Sequence, residues 1–354
     1  MRLPAIPRRR GLLIMLTTTL ALLGGCADQV PVSHGQIEAF DTRVDVTLIG
    51  IERQRARRVT RQLDDDFQRM HEAWHAWRAG PVSRMNRKFN EGSEPFAAPP
   101  SVLPLLQLSK QLAQQSDNLF NPAIGHLVKA WGFQGRATEC LRPPPQDLID
   151  EALKANPTMQ DVHIDGFRVW SDNDMVKLDF RAIQKGFAID HAIARLEDEG
   201  IENASVAIDG NIRAIGSRDG YPWSITVRGP EGGGIFATLE ILGNEAAFTA
   251  GEYKRNFAWK GEVYHSIIDP RTGFPAVGTA SVTVLHPSSS TANAAANALF
   301  VAGPTEWHRI AKQMGIHYVM LTDDEGRVHM NPAMQARVKL HSGTREIVIS
   351  APLT

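Results

Sequence analysis

Three short segments concentrate side chains that can do chemistry. In Leu178-Asp179-Phe180-Arg181-Ala182-Ile183-Gln184-Lys185-Gly186 a strand ends in a carboxylate and a helix begins a few residues later. Free N–H groups and partial positive charge at a helix N-terminus suit a phosphate, and Lys185 would add a point charge. In Ala207-Ile208-Asp209-Gly210-Asn211-Ile212 a strand runs into a Gly-Asn turn, where glycine permits φ > 0 and close approach of backbone to a ligand. The third segment, Tyr264 to Pro275, holds His265, Ser266, Asp269 and Arg271 around Asp-Pro-Arg-Thr-Gly, good turn chemistry. Taken alone, the first two read as a capped helix with a solvated lysine and as a plain turn. The third is denser in functional groups than a turn requires. G-x-S-x-G, Walker A and C-x-x-C patterns are absent.

The elements that must hold these segments follow from periodicity. Val44 to Leu48 alternates like a strand. Val59, Leu63, Phe67, Met70, Trp74 and Trp77 recur every three to four residues, predicting a long helix ended by Gly80-Pro81, with Ser83-Arg84-Met85-Asn86 in the loop beyond. Leu103 to Leu112 reads as a helix, 134–147 as a surface excursion, and Asp179 to Glu199 as a strand end leading into a helix. Short strands follow at 205–208, 223–227, 236–241, 246–249 and 281–285, with Gly232-Gly233-Gly234 as a hairpin loop. Helices at 290–302 and 304–314 and strands near 317–322 and 346–350 complete a mixed pattern. No internal repeat or long linker divides it. Helices mixed with antiparallel hairpins predict a single α+β unit of antiparallel sheets flanked by helices.

The chain has 354 residues, 43% of them hydrophobic and 22% charged, which excludes disorder and coiled coil. Its formal charge of −1, with no basic aromatic-laced patch, predicts no nucleic-acid partner. Residues 1–25 read as an export signal: Arg2, Arg8, Arg9 and Arg10 precede the apolar run Leu12–Leu23, too short for a membrane-spanning helix. Arg9-Arg10 partly matches a twin-arginine signal. Leu23-Gly24-Gly25-Cys26 resembles a bacterial lipobox, which predicts lipid on Cys26, a tether over 26–38 and a domain over 39–354. Loss of the four signal arginines takes the formal charge from −1 to −5. Cys140 is then a single thiol. These features predict a protein of the bacterial cell envelope, facing the periplasm and held to the membrane by its lipid.

In order and spacing the three segments resemble the ApbE family of flavin transferases (FAD:protein FMN transferases). The resemblance runs over most of 40–303 and extends to Ser83-Arg84-Met85-Asn86, Phe120-Asn121-Pro122, Ala130-Trp131-Gly132-Phe133, Gly251-Glu252-Tyr253-Lys254-Arg255 and Ala292–Gly303. It implies FAD in a cleft, a divalent cation, usually Mg2+, on the pyrophosphate, and attack of a partner's Thr or Ser hydroxyl on the phosphorus of the FMN half, with AMP leaving. Partners in the family include subunits of sodium-pumping and Rnf-type redox complexes. The implied flavin contacts are Phe40, Phe120, Asn121, Asp179, Lys185, Gly210, Asn211 and Ile267. Ala182 would lend its carbonyl to the metal.

The match breaks where the reaction would occur. The family's metal-binding Asp and Thr, one helical turn apart, are Asn293 and Asn297 here, and losing the carboxylate removes a full charge from the site. The family's His before Ile-Ile-Asp-Pro is Ser266, with His265 one position earlier and so on the opposite face of a strand. His265 and Asn293 are the candidate catalytic residues. Arg181 replaces a family glycine, Asp209 another, and Ala250 a serine. A guanidinium at 181 would replace charge the metal no longer brings. The rival reading keeps the fold as a FAD-binding assembly lipoprotein without turnover.

Overall fold

Val44, Val46 and Leu48 are buried while Arg43, Asp45 and Thr47 are not, a period of two that hides one strand face. In the computed structural model, which describes residues 30–135, 142–228, 234–251, 255–341 and 346–353, this strand spans Thr42–Ile49. It lies second in a nine-stranded sheet whose strands follow chain order. The order is Val32–Ala39, Thr42–Ile49, Asn203–Ile208, Asn211–Ile215, Glu245–Gly251, Thr279–His286, Tyr318–Asp323, Val328–Met330 and Ile347–Ile349. All neighbours are antiparallel except the last pair.

Side-chain alternation divides the core between the two faces of this sheet. Ala246, Phe248, Val282 and Val284 join the helix-side cluster, with Phe67, Ile189 and Leu299 from the helices Arg53–Trp74, Gln184–Asp198 and Ser289–Gln313. Ala247 and Leu285 point the other way, onto Leu239 and Ile241 of a three-stranded sheet formed by Trp223–Arg228, Ile235–Ile241 and Val338–Leu340. A third cluster joins Trp131, Phe133, Phe257 and Ile268. From Pro31 on, the chain is one compact unit. The α+β class predicted from the sequence is the observed one.

Three local expectations change. The strand Val32–Ala39 occupies most of the stretch predicted as tether; only Ile37 and Ala39 of it are buried, so its apolar signal is weak. The long helix stops at Trp74, and Pro81 begins another, Pro81–Glu91, which takes Ser83–Asn86 out of the loop. Proline's fixed φ suits the first helical turn, and Gly80 N–H donates to Ser83 Oγ at 3.0 Å. The two helices after 289 run into one another at a kink, where Gly303 has φ 69° and Pro304 follows. The signal with Cys26, Cys140, Gly232-Gly233 and Glu252-Tyr253-Lys254 lie outside the described residues.

Candidate active site

The segment that ends in Asp179 is not the strand its sequence predicts: Lys177 makes one isolated bridge to Ile124, and the rest is held by backbone and by one asparagine. Lys177 N–H donates to Ala123 O at 3.0 Å and Asp179 N–H to Pro122 O at 2.8 Å. Asn86 satisfies both backbone groups of Leu178: its Nδ2 donates to Leu178 O at 2.9 Å and its Oδ1 accepts from Leu178 N at 2.7 Å. Asn121 closes the adjoining turn, accepting from Ala123 N at 3.0 Å and donating to Pro157 O at 2.9 Å. Asp179 then caps a single 3-10 turn, Phe180–Ala182, by accepting from Arg181 N at 3.1 Å.

That turn leads into the lysine helix, Gln184–Asp198, which lies against the long helix Ser289–Gln313 at Gly186. A Cβ there would overlap the Ser289 carbonyl and come within 2.9 Å of Asn293 Cβ. Gly186 N–H donates to Asn293 Oδ1 at 3.2 Å. Gly186→Ala should therefore lower stability by about 1–3 kcal/mol, read by urea denaturation, because backbone must move to admit the methyl group. Asp190, one turn further on, accepts from Ser289 N at 2.7 Å, Ser290 N at 2.9 Å, the hydroxyls of Ser288 and Ser290 at 2.9 and 2.7 Å, and Arg213 Nη1 at 2.6 Å. It joins the two helices at the first turn of the one that carries Asn293 and Asn297.

Two hairpin tips close the other side. Phe40-Asp41 joins the first two strands with both residues at positive φ, and Asp209-Gly210 does the same between Ile208 and Asn211. Positive φ at both central residues gives the twist a two-residue hairpin needs, which glycine supplies freely and phenylalanine does not. Phe40 is held there by its N–H donating to His71 Nδ1 at 2.6 Å and by stacking on Trp74. Asn211 accepts from Thr249 N at 2.8 Å.

These elements enclose a cleft of about 470 Å3, within the ordinary range for a small-molecule site. Phe40, Phe120, Asn121, Asp179, Ala182, Lys185, Asn211, Ile267, Asn293 and Asn297 all line it. Gly210 does not; it forms the turn beside the wall. Nor does His265.

His265 is buried away from the cleft, its Nε2 donating to Ala276 O at 2.8 Å and its Nδ1 accepting from Ile267 N at 3.3 Å. Both nitrogens serve backbone, which removes it as a base; the strand ends at His265, and Ser266, just past it, lines the cleft. Burial holds its pKa below the usual 6.5. The same cause lowers His286, and with Lys177 and Lys129 nearby it takes His126 down to about 4. The unfolded chain thus binds protons that the folded one refuses. Stability should fall as pH drops below about 6.5, the His126 share being fully lost below about 4; urea unfolding at pH 7 and pH 5 checks this.

Charge in the cleft is arranged differently from expectation. Arg181 does not stand free: its Nε lies 2.9 and 3.0 Å from the two Asp179 oxygens, and it also donates to Phe133 O. The pair is neutral overall, so Arg181 does not replace a cation. Lys185 pairs with Asp209 at 2.8 Å. The third lining cation, Arg255, has its Nε and Nη2 buried with no hydrogen-bond partner among the described residues. Asn86, Asp190 and Arg255 were not singled out from the sequence as working residues.

Ala182, Asn293 and Asn297 do meet, but their donors do not fit a resident Mg2+, which prefers hard oxygens that include carboxylates. Asn297 Nδ2 donates to Ala182 O at 3.3 Å and to Asn293 O at 2.9 Å, so an N–H group, not an oxygen, faces the Ala182 carbonyl. Asn293 Oδ1 is taken by Gly186 N–H. Among the described residues no group of three or more His, Cys, Asp or Glu is placed to hold a metal.

The model of the ApbE family matches residues 40–320, which include every element of this cleft. The chain belongs to the ApbE family. A relative named FAD:protein FMN transferase from Rhodobacter capsulatus is 36% identical over 309 residues, 86% of this chain; the chain spans 58% of that relative's length. One of the same name from Vibrio cholerae is 30% identical over 321 residues, covering 88% of this chain and 94% of the relative. Among solved structures, the ApbE protein of Thermotoga maritima superposes with a TM-score of 0.77 at 29% identity, covering 89% of this chain and all of that one. The Pseudomonas stutzeri flavinyl transferase ApbE gives 0.75 at 26% identity, over 87% and 96% of the two chains. The ApbE fold thus accounts for the sheet, the helices and the cleft.

Proposed function

We propose that this chain transfers FMN from FAD to a Thr or Ser hydroxyl of a partner protein and releases AMP. The observation that carries the reading is the convergence of Asp179, Ala182, Lys185, Asn293 and Asn297 on one cleft, at the positions the ApbE resemblance assigned to the flavin and its pyrophosphate. The acceptor oxygen forms a bond to the phosphorus of the FMN half as the bond to the AMP oxygen breaks; the hydroxyl proton leaves with solvent or the departing phosphate. Positioning and charge neutralisation do most of the work in phosphoryl transfer. The start of the Lys185 helix supplies partial positive charge to the phosphates, and Lys185, paired with Asp209, stands beside them as a hydrogen-bond donor. Phe40, Phe120 and Ile267 offer apolar walls to a planar ring. No step is assigned to a metal, since the donors present do not suit one.

The buried, backbone-bound His265 and the two amides at 293 and 297 favour a second reading, a FAD-binding lipoprotein that assists assembly without turnover. Incubating the purified chain with FAD and a candidate acceptor domain separates the two. Acceptor that gains the mass of FMN, with equimolar AMP, supports transfer; tight FAD binding with neither product supports the second reading. AMP without labelled acceptor would indicate hydrolysis.

The place we assign to this chemistry is the bacterial envelope. The arginine-rich start, short apolar run and Leu23-Gly24-Gly25-Cys26 support export and lipid attachment at Cys26, with the domain facing the periplasm. The acceptor is then a subunit of an envelope redox complex. Metabolic labelling with a fatty acid, lost on Cys26→Ala, tests the anchor.

A further inference from the structure

We propose that the cleft takes the FAD pyrophosphate without a divalent cation: the Asn297 amide occupies the ion's place against the Ala182 carbonyl, and the Arg255 guanidinium supplies the positive charge. The inference rests on the reading that this cleft binds FAD. Its first support is the orientation of Asn297. Two carbonyl oxygens, Ala182 O and Asn293 O, lie on one side of that amide, at 3.3 and 2.9 Å. Turning the amide over would set oxygen against both of them, so the N–H side faces Ala182. Asn293 is likewise committed through its Oδ1 to the Gly186 N–H. Neutral donors already satisfy the oxygens that would ligate an ion.

The second support is the bookkeeping of charge. Arg181 is matched by Asp179 and Lys185 by Asp209. Arg255 alone of the three cleft cations has no carboxylate partner among the described residues, and its Nε and Nη2 are both buried without an acceptor. Buried polar groups are nearly always paired, and an unpaired guanidinium is among the least favourable exceptions. Burial first and Arg181 second, opposed by the more weakly acting Asp179 and Asp41, bring its pKa down to about 10, so it stays charged at neutral pH. Its position is fixed from behind, since Arg255 O accepts from Ser266 N–H at 3.0 Å, which ties it to the Ser266–Ile267 wall. Asp41, also on the cleft wall, pairs with Arg78 at 3.5 Å rather than with Arg255. A planar fork of N–H donors matches two oxygens of a phosphate, so a pyrophosphate would satisfy both orphaned nitrogens and match the guanidinium charge.

The test is titration of the purified chain with FAD and, separately, with riboflavin, which has no phosphate, in EDTA and in Mg2+. FAD affinity should agree within about twofold between the two buffers. Arg255→Gln should weaken FAD roughly tenfold to a hundredfold, the range for charge-assisted hydrogen bonds, and leave riboflavin unchanged, which also shows the variant to be folded. The double variant Asn293→Asp, Asn297→Thr should gain FAD affinity on adding Mg2+, because a carboxylate and a hydroxyl then face the Ala182 carbonyl. A tenfold or greater rise in wild-type FAD affinity with Mg2+ would overturn the cation-free site while leaving the FAD reading intact. Unchanged FAD affinity in Arg255→Gln would remove Arg255 from it. If that variant loses riboflavin as well, the double variant decides: a gained Mg2+ response supports the proposal and none overturns it. Failure to bind FAD in either buffer overturns both this proposal and the FAD reading.

Discussion

Asp190→Ala should lower the stability of the domain by about 3 kcal/mol, close to the loss seen when one partner of a buried ion pair is removed. The carboxylate accepts five hydrogen bonds: from Arg213, from the backbone N–H groups of Ser289 and Ser290, and from the hydroxyls of Ser288 and Ser290. Its removal leaves a largely buried guanidinium and two N–H groups of the first turn of the long helix without that acceptor. Asn293 follows in the next turn of that helix, so FAD affinity should fall along with stability. Urea denaturation gives the first quantity and flavin titration the second. Asp198→Ala is the control: Asp198 is exposed at the end of the same helix as Asp190, and its loss should change stability by no more than about 0.5 kcal/mol.

Ser266→His should raise the rate of FMN transfer by roughly a hundredfold, the lower range for a positioned general base. Ser266 lines the cleft at the place where the ApbE resemblance puts a histidine, whereas His265 is buried and spends both ring nitrogens on Ala276 and Ile267. Ser266 N–H already donates to Arg255 O, so the backbone that would carry the new imidazole is fixed. The added step should appear as a pH dependence near the ordinary histidine pKa of about 6.5, absent from the parent chain. His265→Gln should leave the rate alone and affect stability only. A rate increase on Ser266→His shows that the chain transfers FMN and lacks a base at this position; an unchanged rate would show that another group accepts the acceptor's proton.

Much of this arrangement could be read from the chain itself because it is local. Asp179 and Lys185 are six positions apart, on either side of a single 3-10 turn that leads into a helix, and of the neighbours His265 and Ser266 only the second lines the cleft. The strands Glu245–Gly251 and Thr279–His286 are legible because their residues alternate between two buried clusters, whereas the short strands Asn211–Ile215, Asn256–Trp259 and Glu262–His265 lie outside the predicted set. Failures have equally definite causes. Pro81 both follows one helix and begins another, and the pattern of Val59 to Trp77 runs past the actual end at Trp74. Val32–Ala39 is an edge strand with two buried residues, too few to register as a period. Asp190 and Arg255 owe their roles to partners, or the lack of them, far away in sequence: Ser288 to Ser290 for the one, unmatched charge in a shared cleft for the other. Arg181 shows the converse, since the carboxylate two residues earlier neutralises the charge its sequence position promised.

The measurement that tests the account most directly is a crystal structure of this chain with FAD, grown with Mg2+ present. The account predicts the pyrophosphate between the start of the lysine helix and Arg255, the flavin ring against Phe40 and Ile267, and the Asn297 amide still donating to Ala182 O. A pyrophosphate bound away from Lys185 and Arg255, or a cation held between Ala182, Asn293 and Asn297, would contradict it.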